Sequence, residues 1–243
     1  MIEAKPSRWA LTIFDMYIKR LLKRHFFRLN MLGKIPGIDP SLPVMLTPNH
    51  STWWDGFFVY ILNQKFYNRP LYLMMLERQL VKYSFFSRLG AYSIDPKQPK
   101  KVIESLNYTV ELLDRQKESP PLICIFPQGE LLPWSARPIV FQTGMDWIIK
   151  KYKGKLNLLP LAMRAEYTGE QNAEVFFLFG ENSTIDAGSF KGVKWLAKIE
   201  EDLLDELQGR MVRQDASVDL LQGTSSVNSK WDHIRRRSRK DAP

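Results

Sequence analysis

The chain has 243 residues, 44% of them hydrophobic and 25% charged, enough for one sizeable core with the ordinary polarity of a globular protein. Its formal net charge is +9, and its single cysteine excludes a disulfide within the chain. No stretch approaches the roughly 18 uninterrupted apolar residues of a spanning helix, and the polar start MIEAKPSRWA is not a signal peptide.

The charge sits at the ends. Residues 1–37 carry eight Lys/Arg against two Asp/Glu, and residues 230–243 carry six against two, which leaves −1 for the 192 residues between. Two partners suit that arrangement, an anionic membrane surface or a nucleic acid. The near-neutral centre and the lack of a recognition motif disfavour nucleic acid.

In chain order, residues 8–29 predict a helix, with Leu11, Phe14, Ile18, Leu21, Leu22 and Leu29 at helical spacing. Arg20, Arg24 and Arg28 form a second stripe, and Trp9, Tyr17, Phe26 and Phe27 add aromatic bulk. That is the pattern of an interfacial anchor. A helix packed on the domain with a solvated basic face gives the same stripes, but the apolar residues spread over more than one face, which favours the anchor. From residue 43, PVMLT predicts a strand and DGFFVYILN a helix. LYLMML predicts a strand, ERQLVKYSFF a helix and AYSI a short strand. In KKVIESLNYTVELLDRQ, Val102, Ile103, Leu106, Val110 and Leu113 keep helical spacing. PLICIF is a proline-bounded strand in which Cys124 reads as a small buried hydrophobe. QTGMDWIIKKY predicts a helix. LNLLPLAM and AEVFFLFG predict strands, the second a candidate for antiparallel pairing. KWLAKIEEDLLDEL predicts a final helix. After Gln214 the polar composition predicts a linker or weakly ordered tail.

Strands alternating with helices imply an α/β fold. The expected architecture is a mostly parallel or mixed sheet flanked by helices and preceded by an amphipathic helix. The expected segments are a basic membrane-associating helix (1–37), the α/β domain (38–213), and a polar linker with a basic tail (214–243).

The stretch NHSTWWDG, residues 49–56, joins a predicted strand to a predicted helix. Ligands of open α/β sheets bind at such carboxyl ends of strands. Ser51 or Thr52 can cap the helix, placing Asp55 in its first turns. His50 can then swing back toward Asp55, whose carboxylate would hold one ring nitrogen as N–H and leave the other as a general base. An aspartate in a first turn is also ordinary helix chemistry, so the pair draws weight from its context. Trp53 and Trp54 can wall the site or meet an apolar ligand. His25, on the basic helix, and His233, in the tail, lack such company and read as non-catalytic. Three scattered histidines and one cysteine make no metal-ligand set. No Gly-rich phosphate loop and no nucleophile elbow occurs. A base without a protein nucleophile suggests direct attack by a hydroxyl of the substrate.

NHSTWWDG resembles the N-H-x4-D block of the glycerolipid acyltransferases, the group that includes 1-acyl-glycerol-3-phosphate acyltransferase. Phe126-Pro127-Gln128-Gly129 resembles that family's F-P-E-G block, and LGAYSID, Phe141-Gln142-Thr143-Gly144 and LLPLAM resemble weaker blocks in the same order. The resemblance covers roughly residues 40–185. It implies that His50 deprotonates an acceptor hydroxyl, that Asp55 orients it, and that the hydroxyl attacks the thioester of acyl-CoA or acyl-carrier protein. The candidate substrate site takes in Asn49, Trp54, Phe126, Pro127, Gln128 and Gly129 of the two motifs, with Glu130 beside them and Arg164 as a candidate donor. The resemblance implies no cofactor or metal beyond the acyl donor as co-substrate, and peripheral or monotopic attachment to the cytoplasmic face of a membrane. The acceptor it implies is a lysophospholipid of the 1-acyl-glycerol-3-phosphate type.

Three positions depart from the family. Gln128 replaces its Glu, Glu130-Leu131 replace its Thr-Arg, and Asp95-Pro96 stand where its middle block ends in Arg. The missing arginines are phosphate donors in the family. Arg88, Lys97, Arg137 and Arg164 are the candidates to compensate. A non-phosphate acceptor, such as a glycolipid or lipid glycoside, is therefore the alternative. A non-enzymatic membrane- or nucleic-acid-binding protein stands as the reading from another class.

Overall fold

The computed structural model describes residues 1–115 and 119–224. These residues form one nine-stranded sheet in the order β4-β3-β5-β2-β6-β7-β1-β9, with β8 paired to β6. The strands are β1 (Phe26–Leu32), β2 (Val44–Pro48), β3 (Leu71–Leu76), β4 (Ala91–Ile94), β5 (Leu122–Cys124), β6 (Leu156–Glu166), β7 (Ala173–Phe179), β8 (Ser183–Ile185) and β9 (Ser217–Gln222). The helices are α1 (Arg8–His25), α2 (Asp55–Leu62), α3 (Glu77–Lys82), α4 (Pro99–Asp114), α5 (Gly144–Lys151) and α6 (Val193–Val212), with a 3-10 turn over Ser84–Leu89. Strands β4, β3, β5, β2 and β6 run parallel, so their carboxyl ends share one edge. β7 is antiparallel to β6, as the sequence allowed, and parallel to β1.

The sheet is covered on both faces, which is why its central strands read as continuous apolar runs. In β6, Leu156, Leu158 and Ala162 face a core closed by α4, α5 and α6. Leu159, Leu161 and Met163 face the opposite core, closed by α1 and α2. Alternation along a pleated strand produces this division. α4 opens with Pro99 at its first turn, where a missing N–H costs nothing.

The structure departs from the sequence reading at both ends of the domain. The N-terminal helix stops at His25, and Phe26–Leu32 form β1 rather than a last helical turn. The residues FFRLNML suit either state, and pairing with β7 and β9 decides it. Residues 217–222, expected in a linker, form β9 antiparallel to β1. The sheet therefore exceeds the expected 38–213 boundary on both sides. The basic segment 230–243 lies outside the described residues.

α1 packs on the domain through Ala10, Phe14, Ile18 and Leu22, a strict i+4 row. Large apolar side chains remain exposed beside that row: Trp9, Ile13, Met16 and Tyr17. The basic residues Lys19, Arg20, Lys23 and Arg24 occupy the second half of the helix and are exposed. The apolar and basic residues thus separate along the axis as well as around it.

Candidate active site

The site begins where β2 ends. Asn49 follows the strand, and its side chain grips β6 in both directions. Nδ2 donates to the Met163 carbonyl at 3.0 Å, and the Met163 amide donates to Oδ1 at 2.7 Å. The next residue, His50, is carried on a peptide tied at both polar atoms. Its amide donates to Gln128 Oε1 at 2.7 Å, and its carbonyl accepts from the Leu132 amide at 2.9 Å. Backbone groups held in this way leave the imidazole little freedom beyond its own torsions.

Asp55 is 1% exposed, so its charge needs full compensation. Oδ2 accepts from the Ser51 amide at 2.8 Å, the Thr52 amide at 2.9 Å and His50 Nδ1 at 2.9 Å, and Oδ1 accepts from the Thr52 hydroxyl. Three donors converge on Oδ2 and one reaches Oδ1, a set that suits an ionised carboxylate, which only accepts. Since the carboxylate only accepts, the proton between it and the ring belongs to Nδ1. Nε2 is left as the nitrogen available to a substrate hydroxyl. Ser51 and Thr52 do not cap α2 by their side chains as the sequence suggested. Their amides instead donate to Asp55, the first residue of the helix.

The second motif supports the first. Phe126 stacks on the His50 ring at 4.1 Å between centroids and 22° between planes. Such ring pairs contribute about 0.5–1.5 kcal/mol beyond area burial, and this one sets the imidazole plane. Gln128 is buried and supplies the acceptor for the His50 amide. A neutral amide oxygen fills the acceptor role here. Gly129 has φ +79°, a left-handed conformation, and a Cβ there would lie 3.1 Å from Gln142 Cγ. The turn therefore requires glycine. Pro127 is buried behind this turn, and Glu130 and Leu131 are exposed.

The segment after the turn folds back across the site. Leu132 bonds His50, Ile139 bonds Glu201, and Gln142 returns to Pro127. Arg164 Nε donates to Glu166 Oε2 at 2.9 Å, and the guanidinium lies 3.5 Å from the centre of the Trp134 ring. Arg137 donates to Asp205 at 2.8 Å. Arg88 lies 5.6 Å over Trp9, on α1 and away from the motifs. Of the candidates for phosphate donors, then, Arg164 and Arg137 already have carboxylate partners. Asp95, after β4, accepts from the Lys97 amide and the Gln98 side chain.

Trp54 packs against His25 at 5.0 Å and Phe26 at 5.3 Å, so it joins the end of α1 to the turn that carries His50. Trp53 is 54% exposed. Cys124 is fully buried, and burial pushes its thiol well above the usual range, which removes it as a nucleophile. Among the described residues, no three His, Cys, Asp or Glu side chains gather as metal ligands. Thr52, Leu132 and Met163 were missed in the sequence. The latter two act through backbone atoms, which no residue type reveals. Thr52 carried a signal, a hydroxyl three residues before the aspartate.

Comparison with known proteins bears on fold and family. No curated protein matches the chain. Among solved structures, the fold is similar to the 1-acyl-sn-glycerophosphate (LPA) acyltransferase PlsC from Thermotoga maritima. The TM-score is 0.55, with 16% identity over 82% of this chain and 78% of that one. At that identity the likeness is one of fold. The model of the acyltransferase family, described as "Acyltransferase", matches residues 30–164. That span exceeds half of the chain and holds both the His50/Asp55 pair and the Phe126–Gly129 turn, so the chain belongs to the acyltransferase family.

Proposed function

We propose that this acyltransferase works at a membrane surface, moving a fatty acyl group from acyl-CoA or acyl-carrier protein to a hydroxyl of a lysophospholipid-type acceptor. The observation that carries the reading is the His50–Asp55 pair, with Nδ1 bonded at 2.9 Å to a carboxylate that accepts three further hydrogen bonds. His50 Nε2 takes the proton of the acceptor hydroxyl. The hydroxyl oxygen forms a bond to the thioester carbonyl carbon, and the C–S bond breaks. The imidazolium, stabilised by Asp55, returns its proton to the leaving thiolate. No cofactor beyond the acyl donor enters these steps. General-base assistance of this kind is worth about 10²–10⁴ in rate.

Attachment to the membrane is supported by the exposed face of α1. Trp9, Ile13, Met16 and Tyr17 are joined by Val81, Tyr83 and Phe85 from α3 and the 3-10 turn. Between them lies a groove of about 400 Å³ lined by Phe14, Tyr17, Lys82, Tyr83, Phe85 and Phe86. Cations flank the aromatics, with Lys82 5.0 Å from the Tyr83 ring and Arg88 over Trp9. Aromatic and basic residues together suit the level of anionic headgroups. Among the described residues, no helix is long and apolar enough to cross a membrane.

A second acceptor class, a glycolipid or lipid glycoside without a terminal phosphate, is favoured by one observation. Arg164 is paired with Glu166 and Arg137 with Asp205, while Glu130 stands exposed beside the turn. A phosphate needs paired donors to offset its desolvation. The test of the function is a lipid inventory of cells carrying His50→Ala in place of the native chain. Accumulation of one lysolipid or lipid alcohol, with depletion of its acylated product, is expected and identifies the acceptor. An unchanged inventory would contradict the reading.

A further inference from the structure

Gln128 has the one polar side chain of the Phe126–Gly129 turn, and its two ends differ in character. The oxygen is committed, because the His50 amide donates to Oε1 at 2.7 Å. A backbone N–H only donates, so the atom it meets is the oxygen, and the orientation of the side-chain amide is fixed. The nitrogen of Gln128 carries two further N–H donors. Among the described residues it has no hydrogen-bond partner. Gln128 is 5% exposed, and that opening includes its nitrogen, which is not sealed from solvent. Oxygen and nitrogen of one amide lie about 2.2 Å apart, which puts the free donor within about 5 Å of the His50 amide. Gln128 follows β5 and His50 follows β2, and those strands are parallel neighbours. The free donor and the base therefore stand at one edge of the sheet.

Many of the donors around the base are already committed. Ser51 and Thr52 give their amides to Asp55, and Thr52 also gives its hydroxyl. The Asn49 side chain and the Met163 backbone bond each other. The Gly129 amide donates to the Phe126 carbonyl at 3.1 Å, and the Leu132 amide to the His50 carbonyl. Arg164 and Arg137 lie on Glu166 and Asp205. The motif that this turn resembles has an acid at position 128, and an ionised acid only accepts. Where that motif continues with Thr-Arg, this chain has Glu130-Leu131, whose side chains donate nothing. Gln128 is thus the side-chain donor of the turn, and the bond to His50 holds it in place before any substrate arrives.

We propose that Gln128 is a catalytic residue: its side-chain N–H donates to the thioester carbonyl oxygen as that oxygen becomes an oxyanion. The acceptor hydroxyl gives its proton to His50 Nε2, and its oxygen bonds the carbonyl carbon. The π pair of the C=O moves onto oxygen, where the Gln128 N–H stabilises the charge. Return of that pair restores the carbonyl and breaks the C–S bond, and the leaving thiolate takes the proton from His50. Gln128 thereby joins the base to the oxyanion, since its oxygen holds the backbone of His50 while its nitrogen meets the developing charge. A donor fixed in advance is what such a charge requires, and removal of one costs about 10²–10³ in kcat.

This inference rests on the reading of His50 as the base, and the test separates the two. Gln128→Glu keeps an acceptor for the His50 amide and exchanges the donor for a second acceptor. Gln128→Met keeps the length, stays neutral and has no donor. The purified full chain is assayed for kcat and KM with an acyl-CoA and a lysophospholipid, for thermal melting, and for the low-field proton resonance of His50 Nδ1–H. Folded Gln128→Glu should lose about 10²–10³ in kcat, with KM for both substrates within about threefold and the resonance in place. Folded Gln128→Met should lose at least about tenfold in kcat. A kcat within about threefold of native in either folded variant, while His50→Ala is inactive, would overturn this inference alone. A loss confined to KM for the lysophospholipid would overturn it too, since Gln128 would then bind the acceptor and leave the oxyanion alone. A resonance displaced in both variants would reduce Gln128 to a positioning residue and contradict the proposal. Loss of the native melting transition in both would do the same, since the side chain would then serve the fold. Turnover by His50→Ala would bring down the base reading and this inference with it.

Discussion

Two regions of this molecule are built on opposite terms. At the end of β2, the polar atoms of Asn49, His50 and Asp55 are held by hydrogen bonds from β6, the Gln128 turn and residues 51–52. On α1 and the 3-10 turn, Trp9, Ile13, Met16, Tyr17 and Phe85 are left exposed, with cations scattered around them. Proton transfer demands groups placed to a fraction of an ångström, and that demand is met by directional bonds. Adhesion to a lipid surface demands only apolar area and positive charge, which tolerate variation. Trp54 is the seam between the two, packed on His25 and Phe26 at the end of α1 while its neighbour in sequence, Asp55, bonds the His50 ring.

If that contrast is right, substitutions in the two regions differ in kind as well as in size. Asp55→Asn should have the largest effect. An amide has one accepting oxygen, so it cannot accept the three bonds at Oδ2 and the Thr52 hydroxyl at Oδ1 together, and its NH2 turned toward the ring would favour the wrong tautomer of His50. We expect kcat to fall by roughly 10³–10⁴-fold, measured by steady-state acyl transfer. A fall below tenfold would show that the carboxylate serves the helix more than the base.

The acceptor sharpens the comparison from the substrate side. In a competition assay with one acyl donor, lysophosphatidate should be preferred over a sugar-bearing or uncharged-head acceptor by less than about 100-fold, roughly 2.7 kcal/mol in kcat/KM. A larger preference would mean that Arg164 or Arg137 leaves its carboxylate partner to bind phosphate. Arg164→Gln would then abolish the preference if Arg164 is the donor.

On the exposed face of α1, graded losses are expected. Replacing Trp9, Tyr17 and Phe85 together by serine should weaken binding to anionic vesicles by about tenfold or more, from lost apolar area. Exchanging Lys19 and Arg20 for glutamine should cost about 1 kcal/mol each at low salt and little at high salt. Removal of residues 1–30 is not an equivalent test, because it takes most of β1 and the buried row of α1 with it. Undiminished vesicle binding by the triple variant would place the membrane contact elsewhere.

The smallest effect concerns stability. Glu200 holds its proton to a higher pH when folded than when unfolded, because of burial. Above the ordinary glutamate range the unfolded chain releases that proton and the native chain keeps it, so native stability declines as pH rises. Glu200→Gln removes this term. Its melting temperature should exceed that of the native chain, by a margin that widens from about pH 4.5 upward, each kcal/mol regained being worth about 2–4 °C. A margin independent of pH would show the carboxyl to be ionised in the native state.

What the sequence disclosed follows the same division. His50 and Asp55 were legible because the turn that joins them is local, five residues long and set between a strand and a helix. Phe126–Gly129 was legible from its resemblance to the family's F-P-E-G block, whose glycine the left-handed turn then explains. The central strands were legible from apolar runs, and α4 from its period. β1 was not, since FFRLNML extends the spacing of α1 and becomes a strand only by pairing with β7 and β9, each more than 140 residues away in the chain. β9 was hidden for the same reason in a polar stretch. Glu200 looked like one more acid in KIEEDLLDEL. Its signal was present in the register, since it falls on the row of Leu196, Ala197, Leu203 and Leu204. The arginines read as free donors were charges whose partners, Glu166 and Asp205, only the fold or the next strand position discloses.

The central claim is that a histidine oriented by a buried aspartate performs the transfer without a nucleophile from the protein. Its most direct test is single-turnover acyl transfer by purified His50→Ala, with melting followed alongside. The account expects loss of about 10³-fold or more in the rate of transfer, with the melting transition intact. Transfer within tenfold of the native rate by a folded His50→Ala chain would contradict it.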